Sequence, residues 1–268
     1  MTEANLSAAA IKILETASAE QKARLGRDIA AQWRGATRRT VGHARPPNRP
    51  ARPDTPRLRP PREVPRRKIG TGPEGRIALL HALAHIELNA VDLAWDIIAR
   101  FGDQALPEAF FDDWVRIADE ESKHFLLLSE RLEVLGSHYG ALPAHDGLWQ
   151  ASEATADNLL ARLAVVPMVL EARGLDVTPD MIRKLKAADD RRSAEILELI
   201  YQEEIGHVAV GRKWFEWLCA QKDLKPVDTW QDLVSRYFRG PLKPPFNEEG
   251  RALAGFPSCY YAPLVTPA

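Results

Sequence analysis

Glu120-Glu121-Ser122-Lys123-His124 and Glu203-Glu204-Ile205-Gly206-His207 share one pattern, Glu-Glu-x-x-His, and each lies inside a long segment of helical periodicity. Three residues turn a helix by about 300°, so Glu121 and His124 share a face, as do Glu204 and His207. Upstream of each run stands another carboxylate on an apolar stripe. Glu87 precedes Glu121 by 34 residues and Glu171 precedes Glu204 by 33. A Glu followed one helix later by Glu-x-x-His, occurring twice, is the ligand set of a four-helix-bundle di-metal carboxylate site. The six candidate metal ligands are therefore Glu87, Glu121, His124, Glu171, Glu204 and His207.

Working outward, the segment 73–101 carries Ile77, Leu80, Ala84, Glu87, Leu88, Val91, Trp95 and Ile98 on one stripe. Residues 107–135 carry Phe110, Trp114, Ile117, Glu121, His124, Leu128 and Leu132. A connection over 136–150 follows. Fifteen extended residues reach at most about 50 Å, more than the ~30 Å of a 20-residue helix, so this connection can cross a whole bundle. One long crossover of that kind is the ferritin-like arrangement. A third helix is expected over 152–173, ended by Gly174, with Pro167 kinking it one turn before Glu171 and opening space there. Thr178-Pro179-Asp180 starts another helical stretch. The fourth stripe is Ile196, Ile200, Glu204, His207, Gly211, Trp214 and Leu218.

Flanking segments complete the plan. Residues 6–34 read as one amphipathic helix, closed by Gly35. Between Pro46 and Pro65 fall eight prolines, and twelve Arg or Lys from Arg34 to Lys68 face only Asp54 and Glu63. Proline at that density favours extended chain. This basic segment is either a strap over the bundle or an arm for an anionic partner such as RNA; it lacks the interleaved aromatics that stack on bases. Residues 227–238 form a short helix, and the tail 241–268 is expected to be irregular. The organisation is thus 1–35 N-terminal helix, 36–72 strap, 73–222 di-metal bundle and 223–268 C-terminal helix and wrap. The fold class is all-α.

Composition sets the background. Of 268 residues, 45% are hydrophobic and 27% charged, with a net charge of −1, which points to a globular protein with no global pull toward nucleic acid or membrane. Two cysteines without CxxC spacing suit neither a disulfide framework nor a zinc knuckle. No basic start with an apolar run and no bilayer-length apolar window is read, so the expectation is a cytoplasmic protein with no membrane partner.

A lone Glu-x-x-His is weak evidence, because either residue is usually solvated, and a buried polar network without metal is the other alternative. Two copies at nearly equal spacing from two further stripe carboxylates argue against both. An ionised carboxylate in an apolar seam needs compensation. Two divalent cations balance four carboxylates, and oxygen-rich, imidazole-containing ligands suit iron, or manganese, better than structural zinc. Glu120 and Glu203 precede the ligand carboxylates; each either bonds an imidazole and sets its tautomer or faces solvent. His85 shares a face with His81 and either serves structure or stands near the site.

Three stretches carry a family resemblance. They are Val165-Val166-Pro167-Met168-Val169-Leu170-Glu171-Ala172-Arg173-Gly174-Leu175-Asp176-Val177-Thr178-Pro179, then Glu203-Glu204-Ile205-Gly206-His207-Val208, and Pro244-Pro245-Phe246-Asn247. Through them the chain resembles the ferritin-like superfamily and, more closely, the bacterial family called domain of unknown function 455, over roughly residues 5–260. The resemblance implies a ferritin-like bundle with a di-iron or di-manganese centre and supplies no reaction. A more distant likeness, to the di-iron enzymes that hydroxylate a prenylated tRNA adenosine, rests on the shared bundle and ligand pattern.

The expected function is an oxygen-activating oxidoreductase, a hydroxylase or monooxygenase. Its substrate is an unidentified small or RNA-linked molecule, its electrons come from an external donor, and it is a monomer or small homo-oligomer. The alternatives are a ferroxidase or iron-handling protein and a non-enzymatic metal-stabilised bundle.

Overall fold

The computed structural model describes residues 5–60, 63 and 72–265. The expectations placed on 1–4, 61–62, 64–71 and 266–268, including the end of the basic segment, lie outside the described residues. Among the described residues all regular structure is helical and no strand forms; a single isolated parallel bridge joins Leu58 to Ala144. It divides into two compact units, Met1–Trp149 and Gln150–Ala268.

The first unit is built on α3 (Pro73–Arg100) and α4 (Glu108–Val134), preceded by α1 (Leu6–Leu14) and α2 (Ala19–Gly35). Pro73 opens α3, where its missing N–H costs nothing, and Glu74 faces the positive helix end. The link 101–107 spans at most about 25 Å, against about 40 Å for either helix, so α4 must return antiparallel along α3. Helix α1 packs on α3 and α2 on α4. The single helix expected over 6–34 is corrected to two. Ser18 accepts the Gln21 N–H at 3.4 Å and restarts the helix after the Glu15 cap.

Helix α3 corrects one detail of the sequence reading, that no apolar window approaches bilayer length. It is long enough to cross a bilayer and holds an 18-residue window of mean hydropathy 1.4, of which 78% is buried. Its buried face carries Asn89, Asp92 and Asp96, as in a core helix with internal polar partners. Lys22 Nζ lies 2.6 Å from Asp92 Oδ1 and 2.8 Å from the Ala51 carbonyl, while an Arg52 nitrogen stands 2.8 Å from Asp92 Oδ2. Burial holds the Lys22 amine below its ordinary range, against the pull of Asp92.

These contacts also tie down the described part of the basic segment. Arg39 pairs with Asp112, Arg49 with Asp146, and Ala51 N–H donates to the Leu14 carbonyl. Past α4, Gly136 takes φ +77°, and Ser137 N–H reaches the Leu132 carbonyl at 2.9 Å, closing the helix as a left-handed glycine cap does.

Helix α5 (Gly147–Ala154) spans the boundary between the units. The second unit contains α6 (Leu159–Val165), a π-helical stretch Val166–Glu171, α7 (Ala172–Ala187), α8 (Arg191–Gln221), α9 (Pro226–Tyr237), α10 (Glu248–Leu253) and α11 (Ser258–Tyr261). Helices α6 and α7 pack on α8, and α9 packs on α6.

The helix expected over 152–173 is corrected at both ends. The chain breaks after Ala154, where buried Arg162 donates to Thr155 Oγ1 at 2.9 Å and to the Ser152 carbonyl at 2.8 Å. Asn158 then caps α6 through the Ala161 N–H. Nor does Gly174 end it, because α7 runs on through Pro179 to Ala187. Pro179 cannot donate to the Leu175 carbonyl four residues back. That carbonyl instead accepts from Asn247 Nδ2 at 3.0 Å.

Where a kink at Pro167 was expected, the chain makes a π turn: Ala172 N–H bonds the Pro167 carbonyl, five residues back. The tail expected to be irregular contains α10, α11 and a closing 3₁₀ turn. Asn247 caps α10 by accepting the Gly250 N–H at 3.1 Å, and Glu248 and Glu249 sit in its first turn.

Candidate metal centre

In the first unit, α3 and α4 bring three of the candidate ligands together. Glu87 is 5% exposed, and Glu121 and His124 are fully enclosed. His124 Nδ1 lies 3.3 Å from Glu87 Oε2 and 3.5 Å from Glu121 Oε2. One ligand atom from each of the three falls within 4.8 Å of the others, a group that could hold a metal ion. The geometry follows from sequence: the i,i+3 relation places Glu121 and His124 on one face of α4, and the antiparallel pairing sets Glu87 opposite.

The electrostatics of this group bear on what it can hold. Burial pushes the Glu87 carboxyl well above the usual carboxylate range, and the facing charge of Glu121 raises it further. Of the influences on Glu87, the hydrogen bond and charge of His124 act in the opposite direction. Two carboxylates enclosed beside an imidazole are stable when a proton or a metal ion shares their charge. Carboxylate oxygens with imidazole nitrogen are the donors of iron and manganese sites. The residues present therefore fit the metal that the sequence pattern implies.

The second unit repeats the donor types. His207, on α8, is buried, with Nδ1 3.6 Å from Oε1 of Glu204, whose side chain is 12% exposed. Glu171 closes the π stretch that packs on α8 and is half-buried.

Glu120 is half-buried and pairs with Arg116 on its own helix at 2.8 Å, and Glu203 is also half-buried. His85 has both ring nitrogens engaged, Nδ1 with the Tyr139 hydroxyl at 2.8 Å and Nε2 with the His145 carbonyl at 3.0 Å. Burial first, and the Arg52 charge second, bring its imidazole down to about 3. Nearby, His81 Nε2 accepts the Gly140 N–H at 3.0 Å, and its ring stacks on Tyr139 with centroids 5.5 Å apart. The two histidines thus fasten the connection after α4 to α3. Tyr139 carries no signal in the sequence because it lies in that connection, outside any helical period.

The fold and this group define an all-α protein with a buried Glu/His cluster able to hold a metal ion. Residues 15–262 match the family described as "Protein of unknown function (DUF455)", and the chain belongs to that family. It is 43% identical over 209 residues to a protein of Haemophilus influenzae (strain ATCC 51907 / DSM 11121 / KW20 / Rd) named "Uncharacterized protein", covering 76% of this chain and 72% of that one. No solved structure matches.

Proposed function

We propose that Glu87, Glu121, His124, Glu171, Glu204 and His207 hold two metal ions, iron foremost and manganese second, in a ferritin-like bundle, and that the centre serves an oxygen-activating hydroxylase. One observation carries the reading: Glu87 and Glu121 are enclosed face to face with His124, a donor set whose charge calls for a cation. Glu204 beside His207 supplies the same donor types from a separate sequence segment. When bound, the ions would supply redox chemistry toward dioxygen. The chain's own part is to fix the ligands on rigid helices, exclude water with the apolar residues around them, and present the imidazole nitrogens for ligation. A cytoplasmic setting, where ferrous iron and reductant are at hand, belongs to the same proposal.

The test is anaerobic reconstitution with ferrous iron, followed by metal counting and exposure to oxygen. About two irons per chain are expected from the four-helix ligand count. Oxygen uptake should be about one equivalent per pair of irons without reductant and continue when reductant is added. A chain that binds no iron overturns the metal reading. A large assembly that accumulates hundreds of irons overturns the hydroxylase and favours storage.

A further inference from the structure

The second unit contains a cavity of about 280 Å³ between the π stretch and the segment that follows α9. Its apolar wall is Val169, Leu170, Phe238, Pro241, Leu242 and Phe246. Its charged lining is Arg173, Arg239, Lys243 and Arg251 against a single carboxylate, Asp176. Four cations facing one anion leave a positive excess beside an apolar surface.

The partners of these cations locate the excess. Arg251 is spent on structure: its Nε and one terminal nitrogen each lie 2.8 Å from an Asp176 oxygen, and its guanidinium stands over the rings of Phe246 and Tyr261 at 4.8 and 4.3 Å. Arg173 is partly used, donating to the Lys243 carbonyl at 2.7 Å and lying 3.4 Å from Asp176. Arg239 and Lys243 are exposed, and among the described residues no carboxylate pairs with either side chain. Both line a hollow that they share with aliphatic and aromatic side chains.

We infer that this cavity binds a small organic anion: an apolar, ring-sized body against Leu170, Leu242 and Phe246, with its anionic head held by Arg239 and Lys243. The volume is adequate, since about 150 Å³ of apolar cavity accommodates benzene. The division between an apolar body and a few placed charges is that of small-molecule sites in general. Guanidinium and ammonium both take carboxylate and phosphate, the guanidinium with the geometric fit for a two-oxygen contact. Leu170 precedes Glu171 on the same π stretch, so an occupant of this cavity touches the element that carries a candidate ligand. The inference itself stands whether or not the chain binds metal.

Calorimetric titration of the full chain, with chelator present, tests it using phenyl phosphate, benzoate, inorganic phosphate and phenol as probes. Phenyl phosphate should bind at one site per chain, and phenol, which lacks the anionic head, should not. In Arg239→Gln/Lys243→Gln the affinity should fall about ten-fold or more, as expected for loss of charge-assisted contacts. Lys222→Gln, a charge change on the exposed end of α8, should bind as the parent chain does. Equal binding of benzoate extends the class to organic carboxylates, and benzoate ten-fold weaker restricts it to phosphate monoesters. Absence of saturable phenyl phosphate binding at millimolar concentration overturns the inference. So does unchanged affinity in a double variant that melts like the parent, or inorganic phosphate binding as tightly as phenyl phosphate.

Discussion

Asn247 donates from Nδ2 to the Leu175 carbonyl at 3.0 Å, the acceptor that Pro179 leaves without its helical partner. The same amide group lies 2.9 Å from the Tyr201 hydroxyl, its oxygen accepts the Gly250 N–H, and its backbone N–H donates to Asp176. Asn247→Ala should therefore destabilise the protein by about 1–3 kcal/mol, the cost of leaving buried polar groups unsatisfied. Asn247→Asp should not rescue it, because a carboxylate keeps the α10 cap but cannot donate to Leu175. Urea denaturation of the three proteins checks this; a stable Asn247→Asp would show that the cap alone matters.

Gly211 on α8 is the counterpart of Pro167 in the π stretch. A β-carbon at 211 would stand 2.4 Å from both Cβ and Cγ of the proline ring. In an open helix interior Gly→Ala gains about 1 kcal/mol. Here the added methyl must push the π stretch off α8, and a loss of about 1–3 kcal/mol is expected, as for overpacking elsewhere. The sign decides between the two effects, and Gly211→Ala measured by chemical denaturation reads it directly.

Asp92 balances Lys22 and Arg52 at once, with Lys22 Nζ at 2.6 Å. Asp92→Asn leaves a buried ammonium without its counter-charge, which should cost about 3–5 kcal/mol at neutral pH. The Lys22 amine already sits below its ordinary value because burial disfavours its charge, and loss of Asp92 lowers it further. Between that lowered value and the ordinary 10.5 of the unfolded chain, the unfolded state binds more protons, so stability rises with pH. The deficit of Asp92→Asn relative to the parent should consequently shrink as pH rises from 7 toward 10. A deficit independent of pH would mean that the amine finds another anionic partner or water.

What was legible in the sequence and what was not divides along the range of the cause. The long helices α3, α4 and α8 announce themselves by 3.6-residue periodicity, and the meeting of Glu87 with Glu121 and His124 follows from stripe position, i,i+3 spacing and the short link that turns α4 back along α3. The break between α1 and α2 was legible in principle: Ser18 and Gln21 form a cap pattern of the Ser-x-x-Gln kind. Helix α7 running through Pro179 was not, because its compensation, Asn247, lies 72 residues from Leu175. The helices of the tail, six and four residues long, are too short to show a period. The stretches from Val165 to Pro179 and from Pro244 to Asn247, which carry the family resemblance, gain a physical reason from the structure. Arg173 donates to the Lys243 and Pro245 carbonyls, and Asp176 accepts from Asn247 and Arg251, so the two stretches lock the tail onto α7.

The strongest test of the metal centre is a reversal of sign. Without metal, the enclosed Glu87 and Glu121 oppose each other, and burial already drives the Glu87 carboxyl upward. Glu121→Gln removes one charge at constant shape, so the metal-free variant should be at least as stable as the metal-free parent, although a buried acceptor has become an amide. With metal the order should invert. The parent gains RT ln(1 + [L]/Kd), about 2.7 kcal/mol at a hundred-fold excess over Kd, and the variant gains little of it. Thermal melts of both proteins with chelator, with ferrous iron under anaerobic conditions, and with manganese give the six measurements needed. A parent whose melting temperature responds to neither ion, or a Glu121→Gln variant that responds as fully as the parent, would remove Glu121 from the ligand set. A metal-free Glu121→Gln far less stable than its parent would instead show that the carboxylate serves a hydrogen-bond network, with His124 and Glu87 as structural partners.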